Sequence, residues 1–108
     1  METGISAIEQ LTRNIVRLVG PLRIILFGST ARGESDAESD IDLLVVMPEG
    51  AHRRHTAQFL YREIREAGVP FDLIVAVPSD LEKYRDNPGL IYKTILKEGK
   101  EIYVRPKT

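Results

Sequence analysis

Three short runs dominated by apolar and β-branched residues, Leu22 to Phe27, Ile41 to Met47 and Phe71 to Val77, limit what this chain can fold into. Each is stopped by a glycine or a proline, and each has the length and composition of a buried strand. Helical periodicity fills the spaces between them. Ile5, Ile8, Leu11, Ile15 and Leu18 recur at intervals of three and four, lining one face of a helix that Gly20-Pro21 stops. A second amphipathic helix runs from about His52 to Ala67 around Leu60 and Ile64, with Phe59 and Ala67 flanking, and ends at Gly68. Ser79-Asp80-Leu81-Glu82 has the form of a capping box and opens a short helix, while Asn87-Pro88 opens another that carries Leu90, Ile91, Ile95 and Leu96 up to Gly99. Glu101 to Val104 adds an edge strand. The expected fold class is α/β (α+β): a small mixed β-sheet with helices packed on it, formed by residues 1–108 as one domain.

A chain of 108 residues has room for one core, burying roughly two-thirds of its unfolded surface. Lysine plus arginine at 15 against aspartate plus glutamate at 16 leaves a net charge of −1, without the basic excess of a nucleic-acid binder, so polymeric DNA or RNA is not an expected partner. The lack of cysteine removes disulfides and thiolate zinc sites and fits a reducing compartment. Met1-Glu2-Thr3-Gly4 lacks the charged and apolar regions of a signal peptide, and no apolar run approaches the ~20 residues of a membrane span. The expectation is a cytoplasmic protein with no membrane contact.

Chemistry enters where the strand period meets acidic residues. Side chains two apart on a strand share a face, so Asp40 and Asp42 point together while Ile41 and Leu43 point away. Two carboxylates so placed repel unless a cation lies between them, and oxygen ligands on a strand suit Mg²⁺. Asp72 interrupts the apolar run Phe71-Asp72-Leu73-Ile74-Val75, where a carboxylate carries a burial cost, and is the expected third ligand. Taken singly, each aspartate also fits a cap or an ordinary hydrogen-bonded role. The three together fit a metal site better.

Gly28, directly after the first strand, can take backbone angles closed to other residues. The amides of Ser29 to Ala31 would then open a short helix whose N-terminus favours an anion, with phosphate the natural guest and the Ser29 hydroxyl an added donor. Gly28 to Ser35 matches a Walker A loop at both glycines and the final serine, but Glu34 stands where the lysine belongs and would repel the phosphates. Arg32 has two readings of equal weight: it neutralises phosphate charge, or it pairs with Glu34 or Glu38.

Gly28-Ser29, ten intervening residues, then Asp40-Ile41-Asp42 resembles the signature of the DNA polymerase beta-like nucleotidyltransferase superfamily. The fuller Gly-Ser-Thr-Ala-Arg-Gly-Glu with Ser39-Asp40-Ile41-Asp42-Leu43 resembles its minimal nucleotidyltransferase branch. The resemblance implies that Asp40 and Asp42 hold two Mg²⁺ ions, that Asp72 completes one metal site near the attacking hydroxyl, and that Gly28-Ser29 grips the terminal phosphates of a nucleoside triphosphate. The implied reaction is attack of an acceptor hydroxyl on the α-phosphate, with ATP as the donor and pyrophosphate leaving.

Larger members of the superfamily carry a helical domain that helps bind base or acceptor; here the expectation is that this wall comes from another protein, and minimal members commonly pair with a separate helical HEPN protein as toxin and antitoxin. The resemblance therefore implies AMP transfer to a tyrosine of such a partner. Two other readings stand beside it: an antitoxin or assembly subunit that acts by contact with weak or absent catalysis, and nucleotidyl transfer to a small molecule such as an antibiotic. The residue pattern leaves homo- or hetero-oligomers open. His52 and His55, beside Arg53 and Arg54, read as the solvated start of a helix rather than a metal pair; Tyr84, Tyr92 and Tyr103 read as anchors of the core or of an interface; Lys93, Lys97 and Lys100 complement a helix dipole.

Overall fold

The computed structural model describes residues 4–28, 40–64, 70–84 and 91–106. Their order is α1 (Gly4–Val19), β1 (Arg23–Phe27), β2 (Ile41–Val46), α2 (Arg53–Glu63), β3 (Phe71–Ala76), α3 (Pro78–Tyr84), α4 (Ile91–Glu98) and β4 (Lys100–Val104). The four strands form one mixed sheet in the order β3-β2-β1-β4. β1 runs antiparallel to both β2 and β4, whereas β2 and β3 are parallel, with α2 in the connection between them.

The sheet is buried on both faces, which is why β1, β2 and β3 are apolar at nearly every position. On one face Ile24, Leu43, Val45 and Leu73 meet Leu11 and Ile15 of α1 and Leu60 of α2. On the other, Ile25, Leu44, Val46 and Ala76 meet Leu81 of α3 and Ile95 of α4. Helices thus cover both sides of the sheet, and the residue parity along β2 and β3 decides which side each side chain serves.

Most boundaries follow the sequence expectation. α1 stops where Gly20 takes φ +57° and its N–H reaches the Val16 carbonyl at 3.0 Å, the left-handed helix end that glycine favours. α4 ends before Gly99, whose N–H bonds to the Ile95 carbonyl. α2 is shorter than its periodicity suggests, with Ile64 leaving helical geometry as the C-cap (φ −99°, ψ 88°). Ala67 and Gly68, the expected end of that helix, lie outside the described residues. The capping box placed on Ser79 needs correction. The helix begins at Pro78, and the Asp80 carboxylate reaches back to accept from Val77 N–H at 3.1 Å, so the cap lies two residues earlier than the serine suggested. Ser79 instead donates its backbone N–H and its hydroxyl to Glu49 in the segment after β2. The Asn87-Pro88 helix start lies outside the described residues, as does Leu90. No helix among the described residues is long and apolar enough to cross a membrane.

Candidate active site

Antiparallel β1 ends where parallel β2 and β3 begin, so one end of the sheet gathers the last residue of β1 and the first residues of the other two. Phe27 is paired with Asp42, and Asp42 with Asp72. Residues in register on neighbouring strands project to the same face, at the ~4.8 Å strand spacing. Asp40, two residues before Asp42, belongs to that face as well, and the pairing extends to its level through Ile41 N–H bonding to the Pro70 carbonyl at 3.0 Å. Asp42 is half-buried, while Asp40 and Asp72 are exposed.

The electrostatics match this placement. Burial first, then the like charges of Asp72 and Asp40, push the Asp42 carboxyl above its ordinary value of 3.8. Asp42 therefore responds to both of the other carboxylates. Among the described residues no three acidic or imidazole side chains are already closed around a common point at metal-ligating distance. The aspartates are neighbours by register and by charge, and their side chains would have to converge to cage an ion. As a donor set, three carboxylate oxygens on one face, with mutual repulsion that a cation would relieve, fit a hard divalent cation such as Mg²⁺.

Gly28 leaves β1 at this same end with φ +80°. The backbone angle favours glycine, and so does the space: a Cβ built there would overlap Asp42 Oδ2 and lie 3.2 Å from its Cγ. The sequence showed the turn but not this second constraint, which exists only because Gly28 and Asp42 adjoin across the β1–β2 ladder. Ser29 and Arg32, the other expected phosphate contacts, lie outside the described residues, as do Glu34 and Ser39.

His52, Tyr92 and Tyr103 keep their plain structural readings, the Tyr84 side chain lies outside what the structure describes, and Lys100 opens β4 rather than closing α4. His52 is the N-cap of α2: its Nδ1 accepts from His55 N–H at 3.2 Å, and the two rings stack with centroids 3.8 Å apart. Parallel stacked imidazoles do not converge on a metal. Tyr103 packs against the α1–α2 side of the core and Tyr92 against the α3–α4 side. Tyr61 had no special place in the sequence pattern. It reaches the strand carrying Asp72 through a hydrogen bond from Leu73 N–H to its hydroxyl at 2.7 Å.

Comparison with known proteins gives the family and the fold. The family model of the nucleotidyltransferase domain matches residues 8–102, from α1 through β4. The chain belongs to this nucleotidyltransferase family. Its fold is similar to that of a Sulfolobus solfataricus protein assigned as a nucleotidyltransferase, at 25% identity and a TM-score of 0.59, covering 97% of this chain and 93% of that one. It is also similar to a chain of a toxin–antitoxin structure determined with AMP-PNP, at 23% identity and a TM-score of 0.57, covering 94% of this chain and 74% of that one. No curated protein matches the sequence at a significant level.

Proposed function

We propose that this nucleotidyltransferase moves AMP from ATP to a hydroxyl acceptor, a tyrosine of a helical HEPN partner protein, and so acts as the antitoxin of a toxin–antitoxin pair. The observation that carries the chemistry is the in-register pairing of Asp42 with Asp72, with Asp40 on the same face and Gly28 packed beside Asp42. The partner is supported by the resemblance of the Gly28–Leu43 motif to the minimal branch and by the fold shared with a chain of a toxin–antitoxin structure that holds AMP-PNP.

In this reading Asp40 and Asp42 hold divalent cations and Asp72 completes one of the two coordination sets. Such ions, when bound, screen the triphosphate and stabilise both the attacking and the leaving oxygen of an in-line displacement. The chain's own residues supply the rest. Gly28 turns the backbone toward the terminal phosphates while leaving space for the Asp42 carboxylate. Asp72, on an exposed edge of the sheet, takes the proton of the acceptor hydroxyl as its oxygen bonds to the α-phosphorus. The bond to the bridging oxygen breaks, and pyrophosphate departs.

The test is transfer from α-labelled ATP with Mg²⁺ to the product of the neighbouring gene, located by mass spectrometry. Asp40→Asn and Asp42→Asn should each abolish transfer with the fold retained. Asp72→Asn should lower kcat by at least about 100-fold, the scale of a lost general base, while raising KM for ATP far less. Variants at Asp40 or Asp42 that transfer at the wild-type rate would remove these residues from the mechanism. Neutralisation of the partner with no label on any tyrosine would favour an antitoxin that acts by contact.

A further inference from the structure

Among the described residues β3 is an edge strand, paired with β2 as its one neighbouring strand, yet it carries one of the three site carboxylates. A side chain on an edge strand is held by half the ladder that holds Asp42, whose strand is paired on both sides. Tyr61 supplies the missing side at the level of Asp72. It follows the fully buried Leu60 on α2, which packs on the face opposite the aspartates, and its ring stacks on Phe71 with centroids 5.6 Å apart and an interplanar angle of 15°. Its hydroxyl accepts from Leu73 N–H at 2.7 Å. One tyrosine thus grips both residues that flank Asp72.

The peptide bond between Asp72 and Leu73 is planar, so its N–H and C=O point in opposite directions. With the N–H held at the open edge by Tyr61, the Asp72 carbonyl is directed toward β2. The peptide plane attached to the Asp72 Cα is therefore fixed from both sides, and the direction of the Cα–Cβ bond is fixed with it.

We propose that Tyr61 is a positioning residue for Asp72, holding the edge-strand carboxylate where it can join Asp40 and Asp42 around a divalent cation. This rests on the reading of the three aspartates as a cation site, and it adds a residue from the opposite face of the sheet. Tyr61 remains 43% exposed, so burial alone does not account for its orientation; the hydrogen bond and the stack do.

Mn²⁺ serves as the probe, its binding followed by electron paramagnetic resonance in the wild type, Tyr61→Phe, Asp72→Asn and the double variant. Tyr61→Phe keeps the ring over Phe71 and removes only the acceptor. It should weaken Mn²⁺ binding about 3- to 10-fold, speed exchange of the Leu73 amide, and shift the thermal midpoint by no more than a few degrees. The double variant should bind Mn²⁺ as Asp72→Asn does, because Tyr61 acts through Asp72. A tyrosine that merely blunts the sheet edge would release the Leu73 amide and leave Mn²⁺ affinity unchanged, and that result overturns the proposal. So would losses that add fully in the double variant. Failure of the broader reading looks different: a wild-type protein that binds no Mn²⁺, or an Asp72→Asn variant that binds it unimpaired, removes the cation site itself.

Discussion

At the scale of single residues, the site is a cluster of like charges held together by backbone pairing. Asp42 bears the largest share of the cost, since it is the most buried of the three and faces both others. Its raised folded-state value means that the native state holds this proton more tightly than the unfolded chain does. Its contribution to stability is therefore greatest below the ordinary carboxylate range and declines as pH rises through the raised value. In chelator at neutral pH, Asp42→Asn should be more stable than the wild type, and the gap should close as pH falls below about 4. Urea unfolding of both proteins across that window measures it; a gap that is constant with pH would mean the Asp42 charge carries no such cost. The three aspartates were legible in the sequence because strand alternation alone puts Asp40 and Asp42 on one face and marks Asp72 as an intruder among apolar neighbours. What was not legible was the contact between Gly28 and Asp42, because it depends on the β1–β2 register, which residue spacing does not encode.

At the scale of elements, the starts and stops written in glycine and proline were readable, and those written in side-chain reach were not. Gly20 and Gly99 mark helix ends because backbone geometry there is local. Ser79 resembles an N-cap, yet Pro78 suits the first helical position and Asp80 can reach back to Val77 N–H, so the helix begins earlier and Ser79 is taken by Glu49. Asp80 also pairs with Arg53 of α2 at 2.9 Å, with the aspartate side chain only 16% exposed. Asp80→Ala should therefore cost about 1–2 kcal/mol, through loss of an N-terminal acceptor and an ion pair together. Ser79→Ala should cost less than about 1 kcal/mol, since its exposed hydroxyl bond is replaceable by water. Chemical denaturation of the two variants distinguishes the frames, and a larger loss at Ser79 would restore the serine as the cap. Tyr61 belongs at this scale too: nothing in the α2 periodicity singles it out, because its role depends on where β3 lies beside the helix.

Across the whole molecule the two ends of the sheet have opposite electrostatic character. At the end where β2 and β3 finish, Glu49 accepts from Ser79 and Arg53 pairs with Asp80, so polar groups are matched within the chain. At the end where they begin, Asp40, Asp42 and Asp72 share one face and repel. Stability at the second end should thus depend on what is bound there. A ligand that binds only the folded state at 100 times its dissociation constant adds about 2.7 kcal/mol, on the order of ten degrees in Tm for a domain of this size. Mg²⁺ with ATP should raise the thermal midpoint by that order, EDTA should abolish the gain, and ATP without metal should give little of it. The double variant D40N/D42N should show no metal-dependent rise, although its midpoint in EDTA should exceed that of the wild type because the repulsion is gone. An equal rise in the double variant would place the metal–nucleotide complex away from the aspartates, while a wild type indifferent to Mg²⁺ and ATP together would mean that this end of the sheet does not take the substrate of the family's reaction.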